Sequence, residues 1–386
     1  MLSISKIFKP KKLDRQLAVY NNILISKSAI LNNFDLLSNM SPSEGYVIPV
    51  LKSNAYGHGI KQVARILQAR RFPYIAVDGY FERLEIAKVS KQPVLIMGAI
   101  RPENYSKVST SRSAFVISDT PSLMAVGRTK KRFKVHIEIE TGMGRHGLRL
   151  DELSKFINEL KKYPKIYVEG IMTHLSDADN PKTDEYVIQQ VNKFDQAVEL
   201  FLESGIKPKY YHIAQSAGST KAISRYANTI RPGIALYGIS PLDNDDVYYK
   251  KLANLKPALT LTSTIAKTMN IDKGGSVSYN RTFRAKKNSR IGILPLGYYE
   301  GVPREFSNTA YVTAKDKKIK IVGRVCMNHT MIDITDTNLG IGDKIEIISN
   351  EKTSPISLDN ICKRHGLFNY LVLVKLNENI RRTIID

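Results

Sequence analysis

The groups in this sequence best suited to moving protons stand at the ends of short apolar runs. Lys52 directly follows Tyr46–Leu51 and opens the stretch Lys52-Ser53-Asn54-Ala55-Tyr56-Gly57-His58-Gly59. A lysine cut off from water loses the solvation that favours its ammonium, and the freed amine is a nucleophile able to form an imine. Taken alone, Lys52 reads as a surface lysine and the glycines as turn formers. Later runs end in comparable groups: Arg145 within Thr141–Gly147, His174 within Met172–Leu175, His212 and Ser216 within His212–Gly218, and Arg231 with Gly233 and Ile234 within Arg231–Gly238. Ser216 and the amides around Gly233 suit a phosphate, which a hydroxyl and backbone N–H groups can hold. Arg231 suits a ring nitrogen, and His174 suits the face of an aromatic ring. None of the 7 histidines forms an H-x-H pair. Asp177 and Asp179 read as loop polar groups, so no metal site is expected.

The elements that must position these groups follow from hydrophobic patterning. Tyr46–Leu51, Tyr74–Val77, Val94–Met97, Ala114–Ile117, Val135–Ile139, Ile166–Met172, Tyr210–Ile213 and Ile230–Leu236 read as strands. Helical patterns separate them, with Asp151 and Thr183 as expected N-caps. Such alternation predicts an α/β fold, a closed (β/α)8 TIM-like barrel, with the reactive groups at the carboxyl ends of its strands. Alternation alone leaves an open doubly wound sheet as the alternative, and Pro49 is a blemish in the first strand. After Pro241 the helices stop, and the runs Leu259–Ala266, Arg290–Leu294, Ala310–Thr313, Ile319–Val325, Met331–Ile334 and Lys344–Ile348 predict a second, mostly β C-terminal domain. The expected division is an N-terminal segment 1–19, a barrel 20–240 and a β-rich domain 241–386, with Asn22–Ser26 pairing with the barrel.

Composition bounds the rest. A chain of 386 residues, 42% apolar and 24% charged, has room for a sizeable core. No apolar stretch is long enough to span a membrane, and the basic start lacks an apolar core and a cleavage site, so a cytoplasmic protein is expected. Two cysteines, Cys326 and Cys362, are too few for a disulfide framework, which favours a reducing compartment. The net charge of +22 raises nucleic acid as a partner. The basic residues are scattered in short groups such as Lys11-Lys12 and Lys130-Lys131-Arg132, so a solvated surface is the simpler account.

The runs VLKSNAYGHG, VHIEIETGMGRHGL, GIMTHLSDAD, HIAQSAG, RPGIALYGISP, GGSVSYN, GYYEGVPR and GRVCMN resemble, in order, the motifs of pyridoxal-phosphate-dependent alanine racemase. The resemblance implies a homodimer with composite active sites, interconverting L- and D-alanine through an aldimine of pyridoxal 5'-phosphate. Lys52 would tether the cofactor and act as one of two bases. Tyr279, from the other subunit, would be the opposing base. Tyr56, Ser216, Gly233, Ile234 and Tyr370 match positions that hold the phosphate, His174 and Arg231 those that meet the ring, and His212 the histidine joined to that arginine. Arg145 and the Met327 backbone match contacts to the substrate carboxylate, and Tyr298 a residue of the narrow entry. Arginine keeps its proton, so a ring nitrogen facing Arg231 is expected to stay unprotonated and transamination to be suppressed. A decarboxylase of this fold is expected to place an acidic residue there instead.

Some positions depart from the family pattern. Glu138 stands where the family often has a carbamylated lysine, and is expected to offer Arg145 a carboxylate without modification. Gln215, Asn280, Glu300, Asn328 and Leu371 also replace the usual residues. A broad-specificity or serine racemase is therefore the neighbouring reading, and a non-catalytic cofactor-binding protein the reading from another class.

Overall fold

The computed structural model describes residues 18–41, 45–221, 224–314 and 317–386. The basic groups before residue 18 lie outside the described residues. Two compact units emerge, each discontinuous in sequence. One comprises Ile25–Leu259, Ser349–Glu378 and Ile384–Asp386; the other comprises Thr260–Ile348, Asn379–Thr383 and residues 18–24.

The first strand, β1 (Asn22–Ser26), leads into a helix over Lys27–Ser38 whose first turn is capped by the Ser26 hydroxyl, 3.1 Å from the Ala29 N–H. The barrel follows: β2 (Tyr46–Val47), β3 (Ile75–Val77), β4 (Val94–Ile96), β5 (Ser113–Ile117), β6 (Phe133–Glu138), β7 (Ile166–Met172), β8 (Tyr210–Ala214) and β9 (Thr229–Ile230). Neighbours pair in parallel in the order β2-β9-β8-β7-β6-β5-β4-β3. A bridge between Val50 and Ala76 joins the two ends. Its bonds run from the Leu51 N–H to the Ala76 carbonyl at 2.8 Å and from the Ala76 N–H to the Pro49 carbonyl at 2.9 Å. Pro49 thus contributes only the acceptor a proline still has, and the open-sheet alternative falls.

Parallel strands in such a barrel are covered on both faces, which is why β3 and β5 are buried throughout. Alternate side chains fill the interior, among them Ile48, Tyr74, Ala76, Leu95, Ala114, Val116, Met172 and Tyr210. Outside, the helix Leu153–Leu160 buries Leu153, Phe156, Ile157 and Leu160, and the helix Glu185–Glu203 buries Val187, Val191, Phe194, Val198 and Phe201. The N-cap of the second helix is Asp184 rather than the expected Thr183, although the Thr183 hydroxyl oxygen, one residue earlier, accepts from the Glu185 N–H at 3.1 Å. Asp151 is not a cap; it lies within a 3-10 turn over Leu150–Glu152, and the Glu152 carboxylate takes the Arg149 N–H instead. The expected strand Ile230–Leu236 ends at Ile230, because Pro232 and Gly233 turn the chain into a 3-10 turn over Ile234–Tyr237.

The other unit is built from β10 (Leu259–Thr264), β11 (Lys267–Ile271), β12 (Ser276–Val277), β13 (Phe283–Arg284), β14 (Ser289–Leu294), β15 (Tyr311–Ala314), β16 (Lys317–Lys320), β17 (Thr330–Asp333), β18 (Lys344–Ile348) and β19 (Arg381–Ile385). Its six-stranded sheet has the order β16-β15-β18-β10-β1-β19, beside a three-stranded sheet β11-β14-β17 and the hairpin β12-β13. The expectation that Asn22–Ser26 pairs with the barrel is corrected here: β1 lies between β10 and β19. The half-buried alternation of β1 suits a sheet with one covered face rather than a barrel wall. Among the described residues no helix is long and apolar enough to cross a membrane.

Candidate active site

Lys52, Tyr56, Glu138, Arg145, His174, Ser216, Arg231, Gly233, Ile234 and Tyr370 all line one cavity of about 460 Å³ at the carboxyl ends of the barrel strands. Tyr370 comes from the helix Asn369–Val374, in the segment that returns to the barrel unit.

Lys52 is held by an unusual piece of backbone. Ser53, Asn54, Ala55 and Tyr56 have φ of 55°, 54°, 54° and 51°, a left-handed turn built from residues other than glycine. Each such residue costs roughly 1–2 kcal/mol, so the surroundings must hold the turn in place. The Ser53 N–H donates to Oε1 of Glu82 at 2.6 Å, and Oδ1 of Asn54 takes the Ile60 N–H at 2.9 Å. Oε2 of Glu82 also takes the Asp78 N–H at 2.9 Å, tying the turn to the start of the helix Tyr80–Ala87. Gly57 ends the turn at φ 83°, where a Cβ would lie 2.1 Å from the Leu373 carbonyl oxygen. The helix bearing Tyr370 is therefore packed directly on the Lys52 loop.

Arg231 is buried, 3% exposed. Its Nη2 donates to the Thr173 carbonyl at 2.6 Å, and its Nη1 to the His212 carbonyl at 2.7 Å and to Nδ1 of His212 at 2.9 Å. No carboxylate lies within 4 Å of it among the described residues. Burial pulls its pKa down to about 10, partly offset by the field of Glu138, so it stays charged at neutral pH. Burial and then the charges of Arg231, Arg145 and Lys52 take His174 down to about 3, which leaves a neutral ring facing the cavity.

Ser216 and Gly233 form a small cradle. The Ser216 hydroxyl oxygen accepts from the Gly233 N–H at 3.0 Å and the Ala235 N–H at 3.2 Å, leaving its own proton to donate. A Cβ at Gly233 would come within 2.4 Å of the Tyr56 hydroxyl oxygen, so glycine is what lets the phenol approach the backbone. Burial raises Tyr56 to about 12 and raises Tyr370 as well, so both phenols remain donors. Their ring centroids are 6.0 Å apart.

Glu138 is buried at the end of β6 and faces the same cavity as Arg145, but no hydrogen bond or ion pair within 4 Å joins the two. Burial raises its pKa, opposed first by Arg231 and then by Arg145. His212 lies behind the cavity wall, fully buried against Arg231.

Tyr279, Tyr298 and Met327 belong to the β-rich unit and are exposed there. Tyr279 is presented by a strained turn, with Ser278 at φ 67° and Asn280 at φ 58°. The Ser278 hydroxyl donates to the Arg324 carbonyl at 2.7 Å and braces that turn. Two departures from the family pattern meet in this unit: the Asn328 amide donates to Oε1 of Glu300 at 2.8 Å, where an aspartate would repel it. Glu300 also takes the Gly297 N–H at 2.7 Å.

Sequence reasoning missed Asp78, Met97, Gly98 and His146, which also line the cavity. Asp78 and Gly98 follow β3 and β4, and their place at a strand end was the signal available.

Together these features define a barrel protein with a lysine, a buried arginine and the Ser216–Gly233 cradle on one rim. Family models described as alanine racemase, N-terminal domain, and alanine racemase, C-terminal domain, match residues 25–241 and 258–384. The chain is similar to alanine racemase 2 of Caldanaerobacter subterraneus, 32% identical with 94% of each chain covered. It is also similar to the alanine racemase of Leptospira interrogans, 31% identical over 94% of this chain and 95% of that one. Among solved structures, the alanine racemase of Bacillus anthracis with bound L-Ala-P superposes at a TM-score of 0.86, with 28% identity and 96% of each chain covered. The chain belongs to the alanine racemase family. Racemisation of alanine, an isomerase reaction of a family that depends on pyridoxal phosphate, is its activity, and none of these matches supports the broad-specificity, serine or non-catalytic readings.

Proposed function

We propose that the chain carries out this reaction with pyridoxal 5'-phosphate held in the barrel cavity, as a cytoplasmic homodimer whose sites each use residues from both copies. The observation that carries the reading is Arg231, buried without an acidic partner within 4 Å among the described residues, in the same pocket as the Ser216–Gly233 cradle and Lys52. The residues fit the cofactor's two ends. Ser216, Tyr56, Tyr370 and the Ile234 amide offer donors to a phosphate beside Gly233, whose own N–H is bonded to Ser216, in a gap that a Cβ at Gly233 would close. When bound, the cofactor supplies an aldehyde that links to amines and a ring that accepts electron density.

The residues of the chain do the rest. Lys52 Nζ would tether the cofactor and, once released, take or return a proton on one face of the substrate α-carbon. The phenol of Tyr279, from a second copy, serves the opposite face; its exposure and the apolar groove of about 590 Å³ beside it suit delivery to a partner. Arg231 keeps its proton and so would leave a ring nitrogen placed against it without one, which would restrain electron withdrawal and favour prompt return of the α-proton. His212 positions Arg231, while His174 would lie against the ring. Arg145 and the Met327 backbone receive the substrate carboxylate, Glu138 balances the arginine charge by its field, and Tyr298 narrows the entry. Purified protein with added cofactor is expected to show a borohydride-sensitive absorbance band at the violet edge of the visible and to equilibrate L- and D-alanine in a chiral assay. Lys52→Ala should lose both; a Lys52→Ala protein that keeps the band contradicts the assignment.

A further inference from the structure

A polar chain runs from Arg231 away from the cavity into the barrel interior, past every group the proposed reaction uses. Nη1 of Arg231 donates to Nδ1 of His212 at 2.9 Å, and Nε2 of His212 lies 2.7 Å from Nδ1 of His136. Nε2 of His136 faces Oε2 of Glu169 at 3.9 Å, beyond hydrogen-bond length but within reach of the carboxylate's charge. Oε1 of Glu169 accepts from Nζ of Lys134 at 2.8 Å, and its other oxygen from the Tyr74 hydroxyl. Both imidazoles are fully buried.

The direction of this chain is set from both ends. At one, a guanidinium has protons to donate and no lone pair with which to accept, which favours a bare Nδ1 on His212 and a proton on its Nε2. At the other, the Glu169 carboxylate favours a proton on Nε2 of His136, which leaves Nδ1 of His136 bare to accept from the Nε2–H of His212. Burial holds both rings below their ordinary range, so each carries a single proton at neutral pH. Burial alone pushes Glu169 up, yet the facing His136 ring and the hydrogen bonds from Lys134 and Tyr74 more than offset this and take it to about 2. The far end of the chain is thus a fixed negative charge.

The backbone is shaped for it. The pairing of β6 with β7 slips between Val135↔Val168 and His136↔Gly170, so Glu169 is the extra residue of a bulge. Bulges re-aim side chains, and this one accompanies an inward-facing acid. At the next residue, a Cβ on Gly170 would lie 2.2 Å from Nδ1 of His136; glycine makes room for the ring.

We propose that Glu169 is a positioning residue for the racemase: its charge locks His136 and His212 as Nε2–H tautomers and so keeps an acceptor turned toward Arg231 at the cavity. The consequence for turnover rests on the function proposed above, whereas the tautomers do not. The opposite tautomer of His212 would set two buried donors face to face, and Arg231 would have to move.

The test uses full-length protein labelled with nitrogen-15 at its 7 histidines, with and without pyridoxal phosphate. In the wild type, nitrogen shifts at neutral pH should report neutral, Nε2-protonated rings at His136 and His212. Glu169→Gln, which removes the charge and keeps the shape, should populate the Nδ1–H form in at least one ring and lower kcat about tenfold with KM for alanine nearly unchanged. Glu169→Asp, which restores the charge, should recover most of both. A Glu169→Gln protein with wild-type tautomers and wild-type kcat overturns the proposal. If that variant does not fold, the wild-type spectrum still decides, because an Nδ1-protonated or doubly protonated ring at either position removes the chain through which Glu169 acts. The predicted tautomers in a protein that does not racemise alanine would overturn the reaction and leave the relay standing.

Discussion

At the scale of single residues, the cavity separates groups that hold charge from groups that must stay neutral. Arg231 keeps its proton despite burial, while His174 is driven to about 3 and remains an uncharged ring. Glu138 lies between two arginines in the electrostatic sense but bonds to neither, and burial raises it. A resident carboxylate at that place needs no modification to supply its charge. Racemisation is therefore expected to be the same, within about twofold, in buffer stripped of carbon dioxide and in buffer with added bicarbonate. A clear bicarbonate requirement in that paired assay would contradict the role given to Glu138. Tyr279→Phe removes one of the two proton transfers and, because the two directions are tied by an equilibrium constant of one, should cripple racemisation of both enantiomers while leaving the absorbance band of the bound cofactor intact. Full activity in both directions would remove the phenol from the mechanism.

Elements, rather than residues, set where these groups stand. The left-handed turn at Ser53–Tyr56 and the Gly233 cradle approach one another so closely that a methyl group at Gly233 would lie 2.4 Å from the Tyr56 hydroxyl oxygen. Gly233→Ala should weaken pyridoxal phosphate binding by about tenfold or more in an equilibrium titration, because the phenol must retreat from the phosphate. Unchanged affinity would mean that the phosphate sits elsewhere. Much of this architecture was legible in advance: Ile166–Met172 and Lys344–Ile348 emerged as strands with the expected bounds, since long β-branched runs carry a strong periodic signal. The left-handed turn was not, because Ser, Asn, Ala and Tyr give no local sign of positive φ; tertiary hydrogen bonds from Glu82 and Asn54 impose it. The strand expected over Ile230–Leu236 failed for the converse reason, a Pro-Gly pair overriding a favourable run. Glu169 and its bulge escaped notice because one-residue slips in register leave no trace in hydrophobic alternation.

For the whole molecule, buried neutral histidines link fold and pH. His136, His174 and His212 all titrate below the ordinary 6.5 because burial penalises their charged forms. The unfolded chain binds those protons first, so stability is intact above pH 6.5 and falls as the pH drops below it. Each ring contributes a slope of up to about 1.4 kcal/mol per pH unit. Thermal unfolding of the cofactor-free protein should therefore show a melting temperature that declines from pH 6.5 toward pH 5, and a flat profile would show that the rings are not held neutral. The largest claim at this scale is that Lys52 of one copy works against Tyr279 of another. Its most direct test is complementation: Lys52→Ala and Tyr279→Phe chains, each inactive alone, are co-expressed and assayed for alanine racemisation. Composite sites predict that activity returns, to about a quarter of the wild-type level for random pairing, since half the dimers are mixed and each has one intact site. Mixed dimers that stay as inactive as their parents would contradict it.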